Sequence, residues 1–344
     1  MAAPANTRLA RMSAVLQYGD NGGAVGYLVG QENRGLEYMF IMMNAARYAV
    51  GLQGIAVADR AYQKAVQYAR DRVQSRPVDG SMNTSAAIIH HPDVKRMLMT
   101  MRAYTEGCRA MASAAAAAFD AAHEHPDAQT RKTNQAFYEF MVPLVKGYST
   151  EMSLEVTSLG VQVHGGMGFI EETGAAQHYR DAKILTIYEG TTAIQANDLV
   201  GRKTSRDGGA LAKGIAAQIE QTEAELAKRT DVNAQAVLKR LSAARLAFLD
   251  VVDYIAANTR SNPNAAFAGS VPYLMLAGNL MAGWQLARSL LAAQDNMAED
   301  PAFMQAKVVT ARFYADHILS KATGVRDSIV EGAEGVTAMV LEAF

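Results

Sequence analysis

A chain of 344 residues has room for about two domains. Half of it is hydrophobic, Ala and Met are abundant and aromatics make up 7%, a balance that suits packed helices better than sheets. The formal charge of −1 supplies no net basic field to hold phosphates, which argues against a nucleic-acid partner.

The first thirty or so residues read as a hairpin. Ser13–Tyr18 and Ala24–Val29 are short apolar runs around Gly19-Asp-Asn-Gly22-Gly23, which is turn chemistry. Two strands alone are marginal, so this hairpin needs something else to lean on. From Leu36 to about Val73 the spacing predicts a helix closed by Pro77 and Gly80. After Pro92, Val94, Met97, Met101, Tyr104, Cys108 and Met111 form one apolar stripe of a second helix. The polar turn His123–Asp127 ends it. A third helical stretch starts near Thr133, is interrupted at Pro143, and resumes through Met152 and Leu159 until Gly165-Gly166 stops it.

Thr204–Gly209 is the best candidate boundary. Beyond it, helices are predicted through Leu211–Leu226, Leu238–Ile255, Leu276–Leu291, Phe303–Leu319 and Val336–Leu341, close enough in sequence to pack antiparallel as a second bundle. The apolar run Val271–Trp284 contains Pro272 and Asn279 and is too short for a transmembrane segment, so it reads as a buried helix. Cys108 has no partner for an internal disulfide and reads as a small core residue. The N-terminus lacks the sustained apolar stretch of a signal peptide, and a reduced, cytoplasmic setting is the expectation.

Chemistry concentrates between Arg180 and Gln195. Glu189 precedes Gly190-Thr191-Thr192, where the hydroxyl residues followed by Ala193-Ile194-Gln195 look like a helix start capped by Thr191 or Thr192. Glycine after the acid lets another molecule come close. A carboxylate at a helix start often only complements the dipole; here it also has the makings of a base. His90-His91 and His123/His125 lack the further ligands a zinc site requires. Gly22–Gly26 has no strand-to-helix context and is no dinucleotide fingerprint. Arg240 and Arg245 lie on helices that also carry acids and read as a solvated face.

Gln162-Val-His-Gly165-Gly166-Met-Gly168-Phe169, then Arg180-Asp-Ala-Lys-Ile, then Ile187-Tyr188-Glu189-Gly190-Thr191, resembles the signature of the acyl-CoA dehydrogenases in order and spacing. The resemblance covers roughly residues 1 to 203, and the helices from about 207 resemble the extra C-terminal domain of the large bacterial members. It implies a mainly α chain: residues 1–33 as a short β remnant of the middle domain, 34–203 as the helical flavin-binding and catalytic domain with its four-helix bundle, and 207–344 as the added helical domain. It also implies FAD as cofactor, an acyl-CoA thioester as substrate, electron-transfer flavoprotein as acceptor and a homodimer.

By the same resemblance Glu189 takes the α-proton of the thioester while a hydride leaves the β-carbon for flavin N5. Such a base works best away from water, with donors aimed at the thioester oxygen. Arg72 matches an arginine that grips the flavin pyrophosphate across the dimer interface, where a planar guanidinium suits phosphate. Gln162 and Gly166 match contacts to the adenosine half from the neighbouring subunit, and Thr191 matches a flavin contact. Asn44, Arg47, Tyr188 and Gly190 fall on the substrate side. The chain departs from the compact members after Arg72, where Val73-Gln74-Ser75-Arg76-Pro77 replaces Phe-Gly and puts Gln74 and Arg76 at the flavin contact; Ala193 stands where glutamine is frequent.

The resemblance further implies an N-terminal helical domain and most of a middle β-domain that these residues do not include. The expectation is therefore a shortened dehydrogenase, weak or inactive by itself. The alternative is a non-catalytic helical module that dimerises or assembles without chemistry.

Overall fold

A computed structural model describes residues 16–344, which divide into two compact units, the first ending at Ala45 and the second running Ala46–Phe344. In the first unit the glycine cluster makes its turn: the Gly23 amide donates to the Gly19 carbonyl at 3.0 Å, and Gly19, Gly22 and Gly23 adopt φ of 91°, 97° and 98°. The flanking strands do not form. Residues 16–18 and 24–29 carry no ladder, and Tyr18, Val25, Tyr27 and Val29 stand exposed. An isolated two-stranded ribbon cannot offset the entropy of ordering it, so the expected β remnant is a turn without strands. Residues 13–15, the start of the first expected strand, lie outside the described residues.

Helix α1 (Gly35–Asp71) begins in the first unit and ends in the second, which is helical; α2 (Pro92–Glu124) follows and buries Met97, Met101, Tyr104, Cys108 and Met111 along the stripe its sequence laid out. Between them, Val73 and Ala87 form an isolated antiparallel bridge that pins residues 72–75 beside 86–88. Asp127 caps α3 (Ala128–Pro143), accepting from the Thr130 amide at 2.7 Å.

Pro143 does not break the path. Its ring and missing N–H are accommodated by a π-turn, Leu144–Tyr148, that leads straight into α4 (Ser149–His164). All five residues of this turn are buried. Their neighbours come unusually close: a Cβ on Gly51 would lie 2.4 Å from the Val145 carbonyl oxygen. After the one-turn α5 (Gly166–Phe169) come α6 (Ala175–Leu185) and α7 (Thr192–Asp198), the latter running into a second π-turn, Leu199–Thr204.

Residues 204–209 turn into α8 (Ala210–Ala227), then α9 (Val232–Ser261), α10 (Pro263–Ala268), α11 (Ser270–Asp295), α12 (Pro301–His317), α13 (Ala322–Val330) and α14 (Ala333–Thr337). One apolar core runs from Ile55 to Ile329 across that turn. Helix α11 is its axis, apolar on nearly every face and packed on α2, α9, α12 and α13, as a helix without a polar side must be. Asn279, in its middle, is matched: Tyr148 donates to Asn279 Oδ1 at 2.8 Å and Tyr314 to the Asn279 carbonyl at 3.1 Å.

Arg245 corrects the sequence reading. Instead of lying on a solvated face it is buried between α8 and α9, donating to both oxygens of Glu223 at 2.8 and 2.9 Å. The two residues lie 22 apart in sequence, and only the antiparallel packing joins them. Among the described residues no helix is long and apolar enough to cross a membrane, and no three His, Cys, Asp or Glu side chains gather as a metal site.

Candidate active site

The chain reverses between α6 and α7 in a tight turn whose ends are tied by the Thr192 amide donating to the Thr186 carbonyl at 3.0 Å. Thr191 is the N-cap of α7, its hydroxyl accepting from the Ile194 amide at 3.3 Å. Glu189 sits in this turn, half-buried, at φ 56°. A non-glycine residue in that left-handed region carries about 1–3 kcal/mol of strain and persists only where its surroundings over-determine it. Gly190 follows at φ 88°, where a Cβ would meet Gln195 Nε2 at 2.9 Å.

The surroundings come from three elements. Lys146, wholly buried in the first π-turn, donates to the Gly190 carbonyl at 2.6 Å. Gln195, also wholly buried, donates to the carbonyls of Glu189 and Gly190 at 3.3 Å each. Thr192 donates its hydroxyl proton to Glu151 of α4. Burial pulls the Lys146 ammonium down to about 8, a pull that Arg47 reinforces and that the carboxylates of Glu151 and Glu189 oppose.

Arg47 is buried in α1 and donates through Nη1 to Asp198 Oδ2 at 3.1 Å. Asp198, at the end of α7, also lies 3.5 Å from Arg202 Nε, and Arg47 Nε is left without a partner. The guanidinium thus has a resident carboxylate, which the sequence reading did not supply. Tyr188 donates its hydroxyl proton to Gln53 of α1. Asn44 lies half-buried on α1 in the unit that ends at Ala45.

A second place gathers the expected cofactor residues. Arg72, Gln74, Gln162 and Gly166 line one cavity of about 670 Å³ between the end of α1 and the end of α4. Arg76 and His91 line it too, and no Asp or Glu does. Among the described residues neither Arg72 nor Arg76 has a carboxylate partner. The strand-like bridge fixes the rim: the Gln74 amide donates to Ala86 at 3.0 Å, and the Gln74 carbonyl lies 2.8 Å from His91 Nε2. His164 forms a wall, its ring stacked on Tyr68 at 4.3 Å and its pKa lowered by burial against the pull of the Gly160 carbonyl. Gly165 ends α4 at φ 60°, and a Cβ at either Gly165 or Gly166 would project into open space. Thr191 does not line this cavity; it belongs with the Glu189 turn.

Sequence reasoning missed Lys146, Glu151, Gln195 and Asp198. The one available signal was Lys146 itself, a cation inside the apolar run Phe140–Tyr148.

Residues 33–203 match the family model described as acyl-CoA dehydrogenase, C-terminal domain, and residues 213–340 the one described as acetyl-CoA dehydrogenase C-terminal like. The chain is 56% identical over 326 residues to a 3-methylmercaptopropionyl-CoA dehydrogenase of Ruegeria pomeroyi, covering 94% of this chain and 55% of that protein. It is 35% identical over 333 residues to a broad-specificity linear acyl-CoA dehydrogenase of Mycobacterium tuberculosis, covering 91% and 54% respectively. An acyl-CoA dehydrogenase from Bacillus anthracis solved with FAD shares the fold at a TM-score of 0.69 and 20% identity, over 91% of this chain and 53% of that one. The chain spans about half the length of the curated relatives it matches. On these matches, the chain belongs to the acyl-CoA dehydrogenase family.

Proposed function

We propose that this chain carries the catalytic acid and part of the cofactor site of an enzyme that removes the α and β hydrogens of an acyl-CoA thioester, giving the trans-2-enoyl-CoA. The observation that carries the reading is Glu189: a carboxylate held at a strained backbone angle by wholly buried donors, half-open to whatever lies against the turn. Strain kept in place by its surroundings is what a positioned base needs.

FAD fits the residues of the α1–α4 cavity. Two guanidiniums with no carboxylate partner among the described residues suit a pyrophosphate, Gln74 and Gln162 offer amides, and the glycine pair lets a ligand approach the backbone. When bound, the flavin supplies the oxidant for the β-hydride. Arg72, Gln74, Gln162 and Gly166 would hold one dinucleotide and Thr191, beside Glu189, another; that separation favours a homodimer in which each cofactor is shared. Glu189 would remove the α-proton, and the backbone around Gly190 would fix where its carboxylate points. Tyr188 and Arg47 would serve the substrate side of this arrangement, Arg47 with its charge already balanced by Asp198; by the family resemblance Asn44 would do so too. Electron-transfer flavoprotein is the proposed acceptor; one relative, from Acetobacterium woodii, is named as a subunit of a caffeyl-CoA reductase–Etf complex.

Among acyl-CoA thioesters, the name of the Ruegeria relative makes 3-methylmercaptopropionyl-CoA the first to try. We expect weak turnover from the 344 residues by themselves, because nearly half of each large relative has no counterpart in them and a flavin would be open to water on one side. The test is FAD titration of the purified chain, followed by assay of a short-to-long acyl-CoA series with an artificial electron acceptor. Flavin binding weakened in Arg72→Ala supports the reading; a chain that binds no FAD and dimerises without it would support the assembly-module alternative.

A further inference from the structure

We propose that Lys146 is a positioning residue for the Glu189 turn, acting through the Gly190 carbonyl without touching the substrate. The inference rests on the reading of Glu189 as the base and adds a residue on a different element to its machinery.

Lys146 is fully buried, yet among the described residues no carboxylate lies within ion-pair distance of it, and its hydrogen bond goes to the Gly190 carbonyl at 2.6 Å. An ammonium is expensive to bury, and a methionine would fill the same space without that cost. What the charge achieves here is local. Gly190 O receives two donors, Lys146 Nζ and Gln195 Nε2, and Glu189 O receives Gln195 as well, so two successive peptide planes are fixed. Those planes flank the Gly190 Cα, and the first of them holds the carbonyl side of Glu189, so the backbone is anchored immediately after a residue that sits at a φ of 56°.

The π-turn makes the reach possible. It places Lys146 beside Gly147, where a Cβ would crowd Gln195 Cβ at 3.1 Å and Leu274 Cδ2 at 2.7 Å, so the two donors arrive at one carbonyl only because the intervening residue has no side chain. Charge adds to geometry, since the ammonium lies near enough to Glu189 and Glu151 to feel both carboxylates.

The test is amide hydrogen exchange on the full 344-residue chain. In Lys146→Met, amides of residues 186–192, including that of Thr192 bonded to Thr186, are expected to exchange about tenfold faster or more, with core amides of α9 and α11 unchanged and a melting temperature no lower than wild type. Lys146→Gln, which keeps a shorter, uncharged donor, is expected to fall between. In the active enzyme kcat should drop by roughly 10- to 100-fold while KM moves by about threefold or less. Turn amides that exchange at the wild-type rate in Lys146→Met, or faster exchange spread over every helix with lost stability, would overturn the proposal. The exchange result judges Lys146 whether or not Glu189→Gln abolishes turnover, so the two readings fail separately.

Discussion

The cavity between α1 and α4 leaves Arg72 and Arg76 exposed and, among the described residues, without carboxylates, whereas the Glu189 turn buries Lys146, Gln195 and Asp198 and aims their hydrogen bonds at backbone or at Arg47. An open set of cations with no internal anion is incomplete until an anion arrives from outside. A set of buried polar groups already bonded to one another and to backbone needs no anion from outside, although Arg47 Nε, Gln195 Oε1 and Asp198 Oδ1 have no hydrogen-bond partner among the described residues, and what it produces is the placement of one side chain. The first is built to bind, the second to hold still, and substitutions should therefore separate affinity from geometry and stability.

The largest expected effect is at the acid. Glu189→Gln should lower kcat toward the upper end of the roughly 10²- to 10⁴-fold range of a lost general base. Glu189→Asp, which withdraws the carboxylate by a methylene, should cost on the order of a hundredfold; both are read by steady-state assay of the active enzyme. Next comes the buried pair: Arg47→Met leaves Asp198 without its main partner and should lower unfolding stability by about 3–5 kcal/mol in denaturant melts, most of it recovered by adding Asp198→Leu. Arg72→Ala is the contrast. Being exposed, and unpaired among the described residues, it should leave stability within about 0.5 kcal/mol while weakening FAD binding by roughly 10- to 100-fold in a fluorescence titration. Equal stability losses at Arg47 and Arg72 would erase the distinction.

The smallest effect is on pH dependence. The Lys146 ammonium, flanked by Glu151, Arg47 and Glu189, titrates near 8 in the fold against 10.5 in the free side chain. Below about 8 both states hold the proton and the buried charge costs stability; between about 8 and 10.5 the unfolded chain binds more protons, so stability should climb with pH. Melts of wild type and Lys146→Met across that window should converge as pH rises, and parallel curves would contradict the assignment.

How far the sequence could be read follows the range of each interaction. The Met97–Met111 stripe and the Thr191 cap are local, fixed by spacing within a turn or two, and could be read directly. The hairpin at 16–29 has the residues of strands but no partner, and propensity alone does not make a ladder. Arg47 and Asp198 are separated by 151 positions, and Lys146 and Gly190 by 44, so no local pattern could join them. Pro143 conceals the π-turn, because the same residue that predicts a break here introduces the extra residue that delivers Lys146.

Exchange of the α-hydrogen of a bound acyl-CoA with solvent deuterium, followed by mass spectrometry in wild type and Glu189→Gln, tests the central claim most directly. The account predicts deuterium uptake at the α-carbon in the wild-type enzyme and none above background in the variant. Uptake at the same rate in Glu189→Gln would show that another group takes the proton.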